Sequence, residues 1–244
     1  METGIRLERL RADIFGNFAA IFLNLPDLDL AKAVAEGRYV TAAGFDAIED
    51  IVPLPTAQPA ASDLLVEMPT AAELVRDGLA DIEQHVAGCK GVPLETVQTD
   101  LGVERTRLVR GIARGYGPPP PYGMTWKAPS PEVMGRLNRF FKELDFSAPN
   151  SENPTYIGVE LSFLSLLCQR IAEVQEEGGD ASHFIEMRDE FVRDDVIMWV
   201  PKYCEAVIKD TKLDFFRGVS RLLIAALDSF GFPRPIPEPK DEEE

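Results

Sequence analysis

The sequence TYIGVELSFLSLLCQRIAEVQEEGG, residues 155–179, decides the fold class. Its apolar residues recur at steps of three and four, which is the spacing of one face of an α-helix; they are Ile157, Leu161, Leu164, Cys168, Ile171 and Val174. The preceding residues, 147–154, are rich in Pro, Asn and Ser, and Gly178 and Gly179 follow the last apolar position. Such flanking residues are typical of helix ends. The pattern therefore predicts a long helix over about residues 155–177.

The same spacing recurs on both sides of this segment. One apolar stripe spans residues 7–25 and stops at Pro26, and the last stripe spans residues 215–230. Pro201 predicts a kink in a further stripe, which consists of Phe184, Met187, Phe191, Asp195, Met198 and Trp199. Sustained alternation of apolar and polar residues, the mark of strands, is absent from the sequence. The expected fold is all-α, a single helical-bundle domain of about nine or ten helices that a hinge loop could divide into two subdomains.

Proline-rich stretches divide the chain into parts. Residues 115–129 contain four consecutive prolines, which cannot be helical. We expect an N-terminal helical part over residues 1–114, this Pro-rich loop, and a C-terminal helical part over residues 130–232 that includes the hinge loop, residues 147–156. Residues 233–244 alternate Pro with polar residues and close on four acidic residues, which predicts a disordered acidic tail.

The chain is strongly acidic. Of its 244 residues, 41 are acidic and 25 are basic, so the formal net charge is −16. Nucleic-acid binding needs clustered Lys and Arg to neutralise phosphates, and no nucleic-acid partner is expected. The surplus of carboxylates would suit a basic partner such as an arginine-bearing peptide, or it could serve solubility alone. Hydrophobic residues make up 45% of the sequence, which excludes wholesale disorder.

The sequence predicts a cytoplasmic protein without stable membrane insertion. Residues 1–11 mix charged residues with apolar ones, so no signal peptide is expected. An apolar run of about 18 residues, the length of a transmembrane helix, does not occur in the sequence. The three cysteines, Cys89, Cys168 and Cys204, are widely spaced, which favours reduced thiols over a disulfide framework.

Motifs of the common catalytic and metal sites are absent from the sequence. It has no phosphate-binding glycine-rich loop and no G-x-S-x-G elbow. Its two histidines, His85 and His183, lie outside any metal-ligand spacing. The neighbours Asp194 and Asp195 would point about 100° apart on a helix, so they do not converge on one substrate. We therefore expect no enzymatic activity, no metal and no bound cofactor, and no motif for a guanine nucleotide is present.

Three segments carry patterns that a known family shares. Residues 104–111, ERTRLVRG, resemble the pattern E-Y-T-R-L-F, and the PPPYGMTW that follows at residues 119–126 is similar to P-P-Y-E-S-x-[YW]. Residues 152–161, ENPTYIGVEL, resemble E-x-P-D-H-I-x-x-E-L. Residues 191–201, FVRDDVIMWVP, are similar to F-L-x-x-H-L-x-x-W-x-P. In this order and on an all-α background, the segments resemble the TorD/DmsD/NarJ family of redox-enzyme maturation chaperones, over roughly residues 70–230.

The chain departs from that family at its histidines. Thr155 and Tyr156 stand where the hinge motif has Asp-His, and Asp195 stands where the later helical histidine would be. Contacts that these histidines make in relatives are therefore changed or absent here.

The resemblance implies a dedicated chaperone. Such proteins bind the amino-terminal region, often a twin-arginine signal peptide, of the molybdopterin-containing catalytic subunit of a dimethyl sulfoxide reductase superfamily enzyme. They hold the apo form of that subunit until its cofactor is loaded. Relatives occur as monomers and as exchanged dimers. The residues predicted from the matched motifs to bind the peptide are Glu152, Pro154, Tyr156, Glu160, Asp194, Asp195 and Trp199.

A signal peptide has a cationic start and an apolar stretch, so its receptor needs an apolar groove with carboxylates at the rim. We expect this groove between the hinge loop and the helix at residues 183–200, with a rim formed by Glu152, Glu160, Asp194 and Asp195. The same residues could instead have packing roles or be solvated carboxylates on helix faces. A general helical adaptor or regulator without a molybdoenzyme client is the alternative function, and a helical enzyme is disfavoured because no polar site converges.

Overall fold

The computed structural model describes residues 2–52, 68–110, 116–127 and 131–235. The regular structure of these residues is helical. The α-helices of these residues are α1 (Glu2–Leu23), α2 (Leu28–Ala35), α3 (Tyr39–Ala42), α4 (Ile48–Ile51), α5 (Ala71–Gly88), α6 (Leu94–Arg110), α7 (Gly123–Trp126), α8 (Pro131–Glu143), α9 (Ile157–Glu176), α10 (Ser182–Phe191), α11 (Val200–Asp210) and α12 (Asp214–Asp228). The helices α3, α4 and α7 are single turns of four residues, and the other nine have eight residues or more. The described ranges contain no strand, only an isolated bridge between Tyr122 and Tyr156. The all-α prediction is confirmed.

The predicted long helix is α9, and α1 packs along it. Gly178, with φ of 74°, follows the end of α9, where a glycine commonly adopts the left-handed conformation. The two helices run antiparallel, because Arg9 pairs with Glu176 over 2.7 Å at one end and Leu23 meets Gly158 at the other. The apolar faces of both helices are fully buried in the core.

A second close helix pair, α5 with α12, crosses at two glycines. A Cβ atom on Gly218 would lie 2.5 Å from the carbonyl oxygen of Gly78 and 2.7 Å from a side-chain carbon of Ile82. Only glycine therefore allows the two backbones to approach this closely. Arg221 of α12 pairs with Asp81 of α5 beside the crossing.

A Gly218→Ala variant is expected to lose about 2 kcal/mol of unfolding free energy, because the added methyl group must push a backbone carbonyl away. Urea unfolding followed by circular dichroism measures the loss. Gly135→Ala is the matched control, since Gly135 is exposed on α8 and an added Cβ would meet nothing within 4 Å. The control should be neutral or gain about 0.5 to 1 kcal/mol from the better helix propensity of alanine. Equal stability of the two variants would contradict the close crossing.

Helices from both predicted parts of the chain contribute to one buried core, since α1 packs on α9 and α5 packs on α12. The boundaries of the two parts stay a prediction. Of the predicted acidic tail, residues 236–244 lie outside the described residues. None of the helices in the described residues is both long enough and apolar enough to cross a membrane.

Candidate functional site

Segments that lie far apart in the sequence lie side by side in the structure. We call their meeting place the motif junction, which consists of residues 119–127, 152–161 and 191–201. The first segment contains α7, the second leads from the hinge loop into α9, and the third connects α10 to α11. The hinge motif and the motif at residues 191–201 thus contact each other.

Backbone hydrogen bonds attach the first segment to the hinge loop. The N–H of Gly123 donates to the carbonyl of Thr155 over 2.7 Å, and the N–H of Ile157 donates to the carbonyl of Pro121 over 2.9 Å. Residues 118–121 are not helical, as their four prolines predict, and the carbonyl of Pro121 is free to accept from the hinge. This pairing places α7 directly over the start of α9.

Glu160 and Trp199 connect α9 to the start of α11 inside the protein. The indole N–H of Trp199 donates to Glu160 Oε2 over 3.0 Å, and neither residue has exposed surface. Glu160 Oε1 has no hydrogen-bond partner. Burial raises the pKa of this carboxyl to about 8, although the nearby ammonium of Lys127 acts in the opposite direction. The carboxyl is therefore mainly uncharged near pH 7, which reduces the cost of burying it.

Asp195 is the second buried carboxylate of the motif junction, and two cations from different elements pair with it. Lys127 Nζ lies 2.8 Å from Asp195 Oδ1. Arg136 of α8 donates two hydrogen bonds, from Nε to Oδ2 over 3.0 Å and from Nη2 to Oδ1 over 2.9 Å. The side chain of Asp195 has no exposed surface, so these cations replace its hydration.

A π-helical turn, Val192–Val196, carries Asp195 into the interior, with the N–H of Ile197 donating to the carbonyl of Val192 over 2.9 Å. The helix cannot continue unbroken through Pro201, because proline has no N–H to donate to the preceding turn, and α11 begins anew at Val200 with Pro201 in its first turn. The predicted apolar stripe is therefore interrupted before Pro201. Met198 is 42% exposed, whereas its neighbour Trp199 is fully buried.

The structure divides the predicted site residues into two groups. Three are half-buried: Glu152, Pro154 and Asp194. Four are buried: Tyr156, Glu160, Asp195 and Trp199. The predicted rim position is wrong for Glu160 and Asp195, because both carboxylates are wholly enclosed and bound to neighbouring side chains. Peptide contact by the set as a whole stays a prediction.

The two rim carboxylates that reach the surface have exposed or half-buried partners. The hydroxyl of Tyr122 donates to Glu152 Oε1 over 3.3 Å. Arg193 pairs with Asp194 over 2.8 Å, and its hydrogen bonds lower the pKa of the Asp194 carboxyl. Water can therefore replace the partners of both carboxylates.

Sequence reasoning missed four residues at this place. Lys127 and Arg136 are the cation partners of the buried carboxylate, and Met124 and Met198 are exposed by 45% and 42%. Lys127 directly follows the motif at residues 119–126, which is a signal that could have found it. Arg136 has no such signal, because α8 lies outside every motif.

The first motif has a structural role that ties α6 to α1. Arg105 Nε donates to the carbonyl of Ile21 over 2.9 Å, and its Nη2 donates to the carbonyl of Phe22. The hydroxyl of Tyr156 donates to the same carbonyl of Phe22 over 2.6 Å. A cation at the carboxyl end of α1 also complements the helix dipole. The hinge and the first motif thus share one anchor, the end of α1.

Glu104 and Arg107 of the first motif form a second tie, to the turn between α11 and α12. Arg107 Nη2 lies 2.7 Å from Glu104 Oε1 and also 2.7 Å from the carbonyl of Asp210. Glu104 accepts hydrogen bonds from the hydroxyl of Thr211 and the backbone N–H of Lys212. These contacts hold α11, and with it Trp199, in place.

The described residues contain no group of three or more His, Cys, Asp or Glu side chains arranged to hold a metal ion. The three cysteines are free and buried. The surface of the motif junction presents the carboxylates of Glu152 and Asp194 and the exposed side chains of Met124 and Met198.

Comparisons with known proteins match the region that contains the motif junction. A family model described as nitrate reductase delta subunit matches residues 69–205, more than half of the chain. The chaperone protein TorD of Vibrio parahaemolyticus serotype O3:K6 (strain RIMD 2210633) is similar over 104 residues with 29% identity. That similarity covers 42% of this chain and 46% of the TorD protein, so the match spans less than half the length of that relative.

Proposed function

We propose that this chain, which belongs to the nitrate reductase delta subunit family of non-catalytic molybdoenzyme maturation chaperones, serves one molybdenum enzyme as its dedicated chaperone. It binds the amino-terminal region, with a twin-arginine signal, of the molybdopterin-containing catalytic subunit of a dimethyl sulfoxide reductase superfamily enzyme. It acts in the cytoplasm on the apo form and releases it for export after cofactor loading and assembly.

The surface of the motif junction supports this proposal. Met124 and Met198 expose flexible apolar side chains beside the buried Glu160–Trp199 contact, and methionine adapts well to varied apolar peptides. Glu152 and Asp194 place carboxylates on the same segments. An apolar surface with acidic neighbours fits a peptide with arginines and an apolar stretch. The net charge of −16 would accelerate the encounter with such a peptide.

Isolation of the full chain from its native host tests the function. We expect a molybdopterin-type catalytic subunit to co-purify, and mass spectrometry and metal analysis should identify it as free of molybdenum. A Met124→Ser/Met198→Ser double variant should recover about a tenth as much of that subunit, because the apolar contacts of the peptide are lost.

Val103→Ser is the matched control, since Val103 is 58% exposed on α6 and lies outside the motif junction. It should recover as much subunit as the wild type. If the double variant and the control recover equal amounts of the subunit, the peptide does not bind at the two methionines. Absence of any molybdoenzyme subunit from repeated isolations would favour a general adaptor.

A further inference from the structure

Residues 119–127 lie against the other two segments of the motif junction, residues 152–161 and 191–201, in the manner of a bound peptide. Their extended part pairs with the hinge loop through two backbone hydrogen bonds, as an added strand does. The ring of Trp126 lies edge-on to Tyr203 with centroids 5.7 Å apart, and Tyr122 lies beside Tyr156 at 5.3 Å. Met124 points to solvent. Aromatic and apolar residues are thus followed by one cation, Lys127.

That cation satisfies only one of the two buried carboxyl groups beside it. Lys127 Nζ lies 2.8 Å from Asp195 Oδ1 and 3.4 Å from the backbone carbonyl of Asp195. Glu160 Oε1 is close by, since a Cβ on Gly123 would lie 3.2 Å from this oxygen and 3.4 Å from Lys127 Cε. Nevertheless, Glu160 Oε1 accepts no hydrogen bond and is fully buried. The site therefore contains a buried carboxyl oxygen that the lysine leaves without a partner.

A guanidinium group fits this arrangement better than an ammonium group. Its five N–H donors lie in a rigid planar fork that can serve two carboxyl groups at once, whereas an ammonium acts as a point charge. Asp195 already pairs with Arg136 and Lys127, so a guanidinium in place of the Lys127 ammonium would leave the net charge of the site unchanged and would bring additional N–H donors.

We propose that Glu160 and Asp195 form the subsite for an arginine of the client's signal peptide, and that Lys127 occupies this subsite in the free protein. Residues 119–127 then act as a built-in competitor that a peptide must displace. Only a ligand with both arginine and apolar residues replaces all contacts of the segment, so the competitor also selects against simple cations. This inference rests on the proposed function and names the contact that regulates it.

Two substitutions of Lys127 are expected to change peptide affinity in opposite directions. Lys127→Met removes the competing cation, and Asp195 keeps Arg136 as its partner, so binding should tighten about tenfold. Lys127→Arg places a guanidinium on the chain's own segment, so binding should weaken by a similar factor. The probe is a synthetic peptide in which Arg-Arg precedes about ten apolar residues, titrated calorimetrically into the full chain.

A second peptide with both arginines replaced by glutamine tests the subsite itself. It should gain no affinity from Lys127→Met, since it has no cation to place between Glu160 and Asp195. Lys142→Met is the matched control because Lys142 is exposed on α8 and its loss changes net charge equally.

The outcomes separate this inference from the proposed function. Suppose that the wild type binds the arginine peptide. If Lys127→Met then binds it equally or more weakly, or Lys127→Arg binds it more tightly, the competitor is overturned and the chaperone proposal stands. The competitor is also overturned if Lys127→Met gains as much affinity for the glutamine peptide, or if Lys142→Met gains as much affinity for the arginine peptide. If neither the wild type nor any of the variants binds the arginine peptide, both proposals fail.

Discussion

An Asp195→Asn variant is expected to lose about 3 kcal/mol of unfolding free energy, the loss typical of removing one side of a buried ion pair. The substitution keeps the size of the side chain but removes the charge that Lys127 and Arg136 share. Only 14% and 19% of these two side chains are exposed, so neither cation can regain full hydration without moving its segment. Urea unfolding at pH 7, followed by circular dichroism, measures the loss.

The adjacent Asp194→Asn variant is the matched control. Asp194 is half-buried and pairs with Arg193, which is 53% exposed, so its loss should change stability by less than about 0.5 kcal/mol. If the two variants lose the same free energy of unfolding, the buried pairing of Asp195 stabilises the protein no more than the surface pairing of Asp194 does. A loss confined to position 195 would support its role in fixing α7 and α8 against α10.

The same contacts explain why an aspartate can stand at a position where the family has a histidine. The carboxylate of Asp195 accepts from Arg136 on both oxygens and from Lys127 on one of them. A neutral imidazole has a single acceptor nitrogen and could not serve both cations. Asp195 and its two partners therefore form one unit, and a histidine at this position would need different neighbours.

Helix positions could be predicted from the sequence because apolar spacing and end signals are local. The stripe of residues 155–177 and its two terminal glycines predicted α9 to within two residues at each end. The pattern also placed Asp195 on an apolar face with Phe191, which indicated burial. The prediction that Asp195 lies on the rim of the groove did not follow this indication of burial.

The rest of the site depends on contacts between distant parts of the chain. Lys127 and Arg136 reach Asp195 across 68 and 59 residues of sequence, and no local pattern reports such pairings. The π-helical turn at Val192–Val196 changes which side chains face inward. A regular helical period therefore could not predict that Met198 is exposed and Trp199 buried.

A Glu160→Gln variant is expected to be more stable than the wild type at alkaline pH, by on the order of 5 kcal/mol at pH 9. Burial raises the pKa of Glu160 from its ordinary value of 4.5 to about 8. Because the folded chain binds this proton more tightly than the unfolded chain, the stability that the neutral acid contributes is complete below about pH 4.5. It is lost as the pH rises through about 8. Glutamine carries no titrating proton and can still accept from Trp199, so the variant escapes this loss.

The measured quantity is the difference in unfolding free energy between Glu160→Gln and wild type, from urea titrations between pH 5 and pH 9. This difference should be near zero at pH 5, grow through neutral pH and level off above about pH 8. Burial also raises the pKa of Asp228 to about 6, but Asp228 is present in both proteins and its contribution cancels. A difference that is constant with pH would mean that Glu160 is ionised throughout, and that the lysine beside it already neutralises both carboxylates.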